Sequence, residues 1–257
     1  MRTIVITGGT DGMGAALTRH FIEAGDRVVV IGRSQAKFDA LTDGSAEFVG
    51  ADLSLVADSR QVVDHLTARR ERIDALVLAA SFIRQRRHTT TEGREASWVL
   101  FFVSKYLLTT GLAGLLRAAD RPVIVNTAVP GARADAIDFA DLELTRGFTF
   151  RRANAQQRRA NELLGITATR DIPGLSYVTW GPGRLVRTSF AGEPGLAMKT
   201  AAAVLGPLLG QRADDAVRPV VELIDNPVPG RSARRGAKEV PLVVGPDDER
   251  DAAQLST

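Results

Sequence analysis

Three glycines near the amino terminus carry the first recognisable chemistry. In TGGTDGMG (7–14), Gly8, Gly12 and Gly14 follow a GxxxGxG spacing, directly after an apolar run and directly before a helical pattern. Glycine lets the backbone turn tightly and approach a pyrophosphate, and a helix starting there points unpaired N–H groups at it. A glycine triplet alone can be a plain tight turn. The strand–loop–helix setting makes this one a nucleotide loop, with Thr10, Asp11 and Met13 between the glycines. The next apolar run ends in Gly32-Arg33-Ser34, and Lys37 follows. Binders of free ribose hydroxyls usually carry an acid there. A guanidinium in its place suits a 2′-phosphate, so the expected cofactor is NADPH/NADP rather than NAD(H). The plain alternative is that Arg33 only lies on the surface.

These residues need strands and helices to hold them. Strands are expected at 2–7, 27–32, 46–51, 73–80, 122–127, 175–181 and 240–245, each too continuously apolar for a one-faced sheet. Helical patterns fill 12–24, 35–42, 55–71, 92–118, 151–170 and 212–225. Right-handed crossovers then give an α/β Rossmann-type fold, a doubly wound parallel seven-stranded sheet in a single domain over 1–257. Ligands bind such sheets beyond the carboxyl ends of the strands.

Composition narrows the function classes. The 257 residues contain no cysteine, which excludes disulfides and thiolate metal sites, and no metal is expected. The net charge of +3 is too small to argue for nucleic acid. The longest apolar stretch, 98–116, is interrupted by Lys105 and reads as a core helix rather than a membrane span. The chain opens on a strand, so no signal peptide is expected and the location is expected to be cytoplasmic. The arginine-dotted helix 151–170 tips the expected state towards a monomer.

The glycine spacing resembles that of the short-chain dehydrogenase/reductase family, and the resemblance runs the whole length. ADLS (51–54) is similar to the segment where the family's Asp holds the adenine amino group, which implies Asp52 with Leu53 beside the ring. LVLAAS (76–81) occupies the place of the family's NNAG segment and implies Ala79, Ala80 and Ser81 along the cofactor. WGPGRLVRTSF (180–190) resembles the segment that holds the nicotinamide carboxamide, implying Pro182, Gly183, Leu185 and Thr188. One extra residue separates Pro-Gly from Thr compared with many members. Thr127 closes the fifth strand near the implied nicotinamide.

The family's catalytic quartet is Asn, Ser, Tyr and Lys. In EASWVLFFVSKYLLTT (95–110) Phe101 stands where the Asn should be, and in VIVNTAVPG (123–131) Ala128 stands for the Ser. ANAQQRRAN (153–161) resembles AYGQSKLAN, so Asn154 replaces the Tyr and Arg158 the Lys. Asn154 can donate a hydrogen bond but no proton, and Arg158 stays charged. Arg158 is expected either on the nicotinamide ribose or on a carboxylate of a neighbouring helix. His88 lies in a polar run and is expected on the surface. No residue takes over the acid's role.

The pattern is similar to atypical short-chain ketoreductases of antibiotic pathways. It implies an NADPH-dependent ketoreductase acting on an angucyclinone-like polycyclic aromatic polyketide, where a neighbouring phenol assists the developing alkoxide. Phe101 and Ala128 would then be apolar walls, and the lid SFAGEPGLAMKTAAAVLGPLLGQ (189–211) offers few polar groups for a sugar. An open, weakly lidded site is expected. Arg84, Arg86 and Arg87 either meet an anionic extension of the ligand or form a solvated loop. The alternatives are a non-catalytic NADP(H)-binding sensor or scaffold, and a redox-neutral cyclase or lyase.

Overall fold

Strand β1 (Thr3–Thr7) is buried at every position, as a strand with neighbours on both edges and layers on both faces must be. It belongs to a computed structural model that describes residues 1–186, 192–193 and 210–256. The other strands are β2 (Arg27–Gly32), β3 (Glu47–Gly50), β4 (Ala75–Leu78), β5 (Ile83–Arg84), β6 (Val123–Asn126), β7 (Ser176–Gly181), β8 (Gly192–Glu193), β9 (Gly230–Arg235) and β10 (Lys238–Val240). The main sheet has eight strands in the order β10-β9-β7-β6-β4-β1-β2-β3. All pairings from β3 to β9 are parallel, and β10 runs antiparallel on the edge.

Helices α1 (Gly12–Glu23), α2 (Gln35–Asp39) and α8 (Ala213–Asp225) lie on the sequence segments that feed one face. There Leu17, Phe21, Phe38, Val217 and Ile224 pack on Ile4, Val30 and Trp180. The opposite face is covered by α3 (Val56–Arg69), α4 (Ala96–Trp98), α5 (Ser104–Gly111), α6 (Ala113–Arg117) and α7 (Phe150–Asp171). Its core joins Leu66, Trp98, Leu108, Leu112 and Leu164 to Leu76 and Tyr177. The doubly wound architecture is therefore as expected, with helices on both faces of a mostly parallel sheet. Among the described residues, no helix is long and apolar enough to cross a membrane.

Three expectations need correction. The seventh parallel strand is β9, GRSARR, and not 240–245. Only Ala233 of β9 is fully buried, so its polar run hides a strand near the sheet edge, whereas VPLVV is apolar but contains Pro241, which cannot donate to a ladder. The helix expected over 92–118 begins only at Ala96, where the Glu95 carboxylate caps the Ser97 and Trp98 N–H groups. It passes through a π-helical turn at Val99–Val103 and breaks at Leu112. Finally, the sheet has eight strands rather than the expected seven, because β10 adds an antiparallel edge; beyond it the acidic carboxyl-terminal stretch forms helix α9 (Asp248–Gln254), which packs on α7 through Ala252, Leu163 and Ile166.

Candidate active site

The glycine loop is built by contacts that exclude side chains. Gly8 has a left-handed φ of 68°, and a Cβ there would lie 2.7 Å from the Ala80 Cα. A methyl group on Gly14 would run into the Gly8 carbonyl. The loop is thus closed against the turn after β4, and Thr7 makes that closure. Its Oγ1 accepts from the Ala79 and Ala80 N–H groups at 2.9 and 3.0 Å. Asp11 caps α1 by accepting from the Gly12 N–H, and it also pairs with Lys37 at 2.6 Å.

These elements wall a groove of about 760 Å3 at the carboxyl ends of the strands. Gly8, Thr10, Asp11, Gly12, Met13 and Gly14 line one part of it. Arg33, Ser34, Asp52 and Leu53 line a second, and Ala79, Ala80, Ser81, Pro182 and Leu185 a third. The structure thus brings together fifteen of the eighteen residues assigned to the cofactor from sequence. Of the others, Gly183 stands behind the wall against Gly236, and Thr188 lies outside the described residues. Thr127 is turned away, its hydroxyl donating to the Leu78 carbonyl at 3.0 Å.

Charge is distributed unevenly round this groove. Arg33 reaches to 3.8 Å from Asp52, and both side chains remain substantially exposed. The Asp52 carboxylate is meanwhile held by the Ser54 N–H and hydroxyl, at 3.0 and 2.7 Å. Sequence reasoning missed Phe82, Ile83 and Leu100, which add an apolar wall. The edge of the Phe82 ring meets Phe101 at 5.8 Å between centroids, and the Arg84 guanidinium lies 4.9 Å from the Phe82 ring. The signal for Phe82 was available in its place, directly after LVLAAS.

None of the four residues that the resemblance sets at the quartet's positions carries an acid group, and none of them lines the groove. Phe101 sits in the π-helical turn, and Ala128 is half-buried after β6. Asn154 is half-buried on α7 and makes no side-chain hydrogen bond among the described residues. Arg158 makes no ion pair with a carboxylate of a neighbouring helix among the described residues. It donates to the Val129 and Pro130 carbonyls at 2.5 and 2.7 Å, clamping the loop after β6. Burial and the neighbouring Arg235 both lower the pKa of this guanidinium from its ordinary value.

Behind that loop lies a polar network that was not legible in the sequence. Lys105, only 3% exposed, donates to Asn126 Oδ1 at 2.7 Å. Asn126 Nδ2 donates in turn to Asn161 Oδ1 and to the Tyr177 hydroxyl, at 2.6 and 2.8 Å. The Tyr177 hydroxyl donates to the Asn161 carbonyl, and burial raises its pKa. Burial alone pulls the Lys105 ammonium down to about 7. Tyr106, the second tyrosine, donates to the Ser256 carbonyl far from the groove. At the mouth, Arg87 is committed to Glu143 and Thr89, His88 is exposed as expected, and Arg86 is exposed. Residues Ile83 and Arg84 pair in parallel with Gly192 and Glu193. The rest of the expected lid up to Leu209 lies outside the described residues.

The family model described as short chain dehydrogenase matches residues 2–137. DnrU of Streptomyces sp. (strain C5), assigned by name as a daunorubicin C-13 ketoreductase, is 30% identical over 198 residues, which are 73% of this chain and 67% of that protein. Human retinol dehydrogenase 13 is 26% identical over 220 residues, 80% of this chain and 66% of that protein. Among solved structures, the short-chain dehydrogenase from Sphingobium yanoikuyae in complex with NADPH superposes with a TM-score of 0.62 at 20% identity, covering 88% of this chain and 85% of that one.

Proposed function

The chain belongs to the short chain dehydrogenase family, and from that premise we propose that it is an NADPH-dependent ketoreductase for a polycyclic aromatic, angucyclinone-like ketone. One observation carries the reading. A groove lined by the glycine loop, Arg33 and Asp52 continues into an apolar wall of Phe82, Ile83 and Leu100, while the positions that the resemblance assigns to a proton donor hold Phe101, Ala128 and Asn154.

The groove suits the cofactor because Gly8 and Gly14 line it with backbone packed too closely for any Cβ, which lets a pyrophosphate approach the loop's N–H groups. Arg33, Ser34 and Lys37 would meet a 2′-phosphate, and no acid stands at the end of β2 to repel it. When bound, the cofactor supplies a hydride to the carbonyl carbon. The chain's part is to orient the ketone and keep water from its flat faces. Phe82 would offer its ring to an aromatic ligand, with Phe101 packed against it from the core side. The Asn154 amide is available to donate a hydrogen bond to the carbonyl oxygen. The proton itself comes from a phenol adjacent to the carbonyl or from solvent, since Arg158 is spent on backbone carbonyls. DnrU, named as a daunorubicin C-13 ketoreductase, supports the ketoreductase part of this reading. The face of α7 that α9 covers supports a monomer.

The test is turnover of NADPH, followed at the reduced nicotinamide absorbance, against polycyclic ketones with and without an adjacent phenol. Consumption confined to the phenolic ketones is the expected result. Tight NADPH binding with no turnover on any of them would leave a nucleotide-binding protein without this activity.

A further inference from the structure

A chain of buried charges joins the carboxyl-terminal helix to the loop after β6. The Gly131 N–H donates to Glu162 Oε1 at 2.7 Å. Glu162 Oε2 accepts from Arg159 Nη1 at 3.1 Å, and the same nitrogen donates to the Val243 carbonyl at 3.0 Å. Arg159 Nη2 donates to the Asp248 carboxylate at the start of α9. The side chains of Arg159, Glu162 and Asp248 are 1%, 5% and 12% exposed. One guanidinium is therefore shared between two carboxylates out of water, and its Nε has no partner among the described residues.

The far end of this chain lies at the candidate site. The same loop carries Ala128, and Arg158 and Arg235 hold its Val129 and Pro130 carbonyls. The Val129 side chain packs where a Cβ on Gly181 would lie 2.9 Å away, directly before Pro182 of the groove wall. Glu162 can serve Gly131 with one oxygen only while Asp248 engages part of the guanidinium. Without Asp248, the planar fork of Arg159 is free to take both Glu162 oxygens, which favours a bidentate pair and draws Oε1 off the Gly131 N–H.

We propose that Asp248 is a positioning residue, through which helix α9 sets the loop after β6 by way of Arg159 and Glu162. The effect on turnover rests on the ketoreductase reading; the effect on the loop does not. Asp248 touches neither ligand nor reacting atoms, so a readout besides stability is required.

The experiment compares the full-length chain with Asp248→Asn, Asp248→Glu and Glu162→Gln by hydrogen–deuterium exchange and by kinetics. In Asp248→Asn, exchange over 127–134 rises about tenfold, while 7–14 and the NADPH affinity stay as in the wild type. On a ketone that the wild type reduces, kcat falls and the KM for NADPH does not move. Asp248→Glu restores both. Glu162→Gln keeps α9 protected and loosens 127–134, which keeps the test decisive if Asp248→Asn does not fold. Unchanged exchange over 127–134 in both Asp248→Asn and Glu162→Gln overturns the proposal, as does equal loosening of 7–14 and 127–134. If the wild type reduces no ketone, the ketoreductase reading fails and the exchange results still decide this one.

Discussion

The loop after β1 and the loop after β6 sit at the same end of one sheet, yet they treat polar groups in opposite ways. Around the first, Asp11, Arg33, Lys37 and Asp52 are exposed at the rim of the groove, and the start of α1 faces it. Around the second, polar groups turn into the protein: Thr127 to Leu78, Arg158 to Val129 and Pro130, and Lys105 to Asn126. Charges at an exposed rim can exchange their partners for a ligand, whereas groups folded into the protein must satisfy their donors internally. The difference is that between a groove rimmed by exposed charges and a loop closed on its own polar groups.

The largest break in that comparison comes from the first loop. Gly14→Ala places a methyl group against the Gly8 carbonyl, so the loop must open. NADPH affinity measured by fluorescence titration should fall by about a hundredfold or more, with the thermal midpoint of the free protein changed far less. Affinity within a factor of two of the wild type would mean that the loop is not the pyrophosphate site.

On the second side, the buried amine of Lys105 makes a pH prediction. Its pKa is lowered from 10.5 to about 7 on folding, so between those values the unfolded chain holds a proton that the folded chain does not. Stability contributed by this position is complete above about 10.5, declines as the pH falls towards 7, and levels off below that. Urea denaturation of wild type and Lys105→Met across pH 7 to 10 isolates the effect. The difference in stability between the two should shift in favour of the wild type as the pH rises. A constant difference would show that the amine is equally charged in both states. Arg158→Ala has a smaller expected effect. It leaves the Val129 carbonyl without its donor, while Pro130 keeps Arg235, and should cost about 2 kcal/mol of unfolding free energy. NADPH affinity should stay constant, and a tenfold loss would instead put Arg158 on the cofactor.

Why the first side was legible and the second was not follows from how each uses sequence. Glycine spacing, a basic strand end and apolar runs are local signals, and they located six of the parallel strands and fifteen of the residues that line the groove. The losses at Phe101, Ala128, Asn154 and Arg158 were equally local. What replaced them depends on partners far along the chain: Lys105 meets Asn126, and Arg159 meets Asp248 across 89 positions. Periodicity reads Lys105 as an interruption and Arg159 as a solvated charge, because it records the residue type and not the acceptor waiting for it. The same blindness hid β9, whose polar sequence pairs with β7 through backbone groups that every residue carries.

The smallest expected effect sharpens the cofactor side further. Arg33 is largely exposed, and its nearest carboxylate, Asp52, is 3.8 Å away and already engaged by Ser54. Its guanidinium is thus available for a phosphate at little structural cost. An exposed charge contributes modestly in water, and Lys37 remains nearby in the Arg33→Ala protein. NADPH affinity should therefore drop only about tenfold, NADH affinity should not change, and raising the salt should shrink the gap between the two cofactors. Equal weakening for both cofactors would mean that Arg33 supports the shape of the groove and does not read the 2′-phosphate.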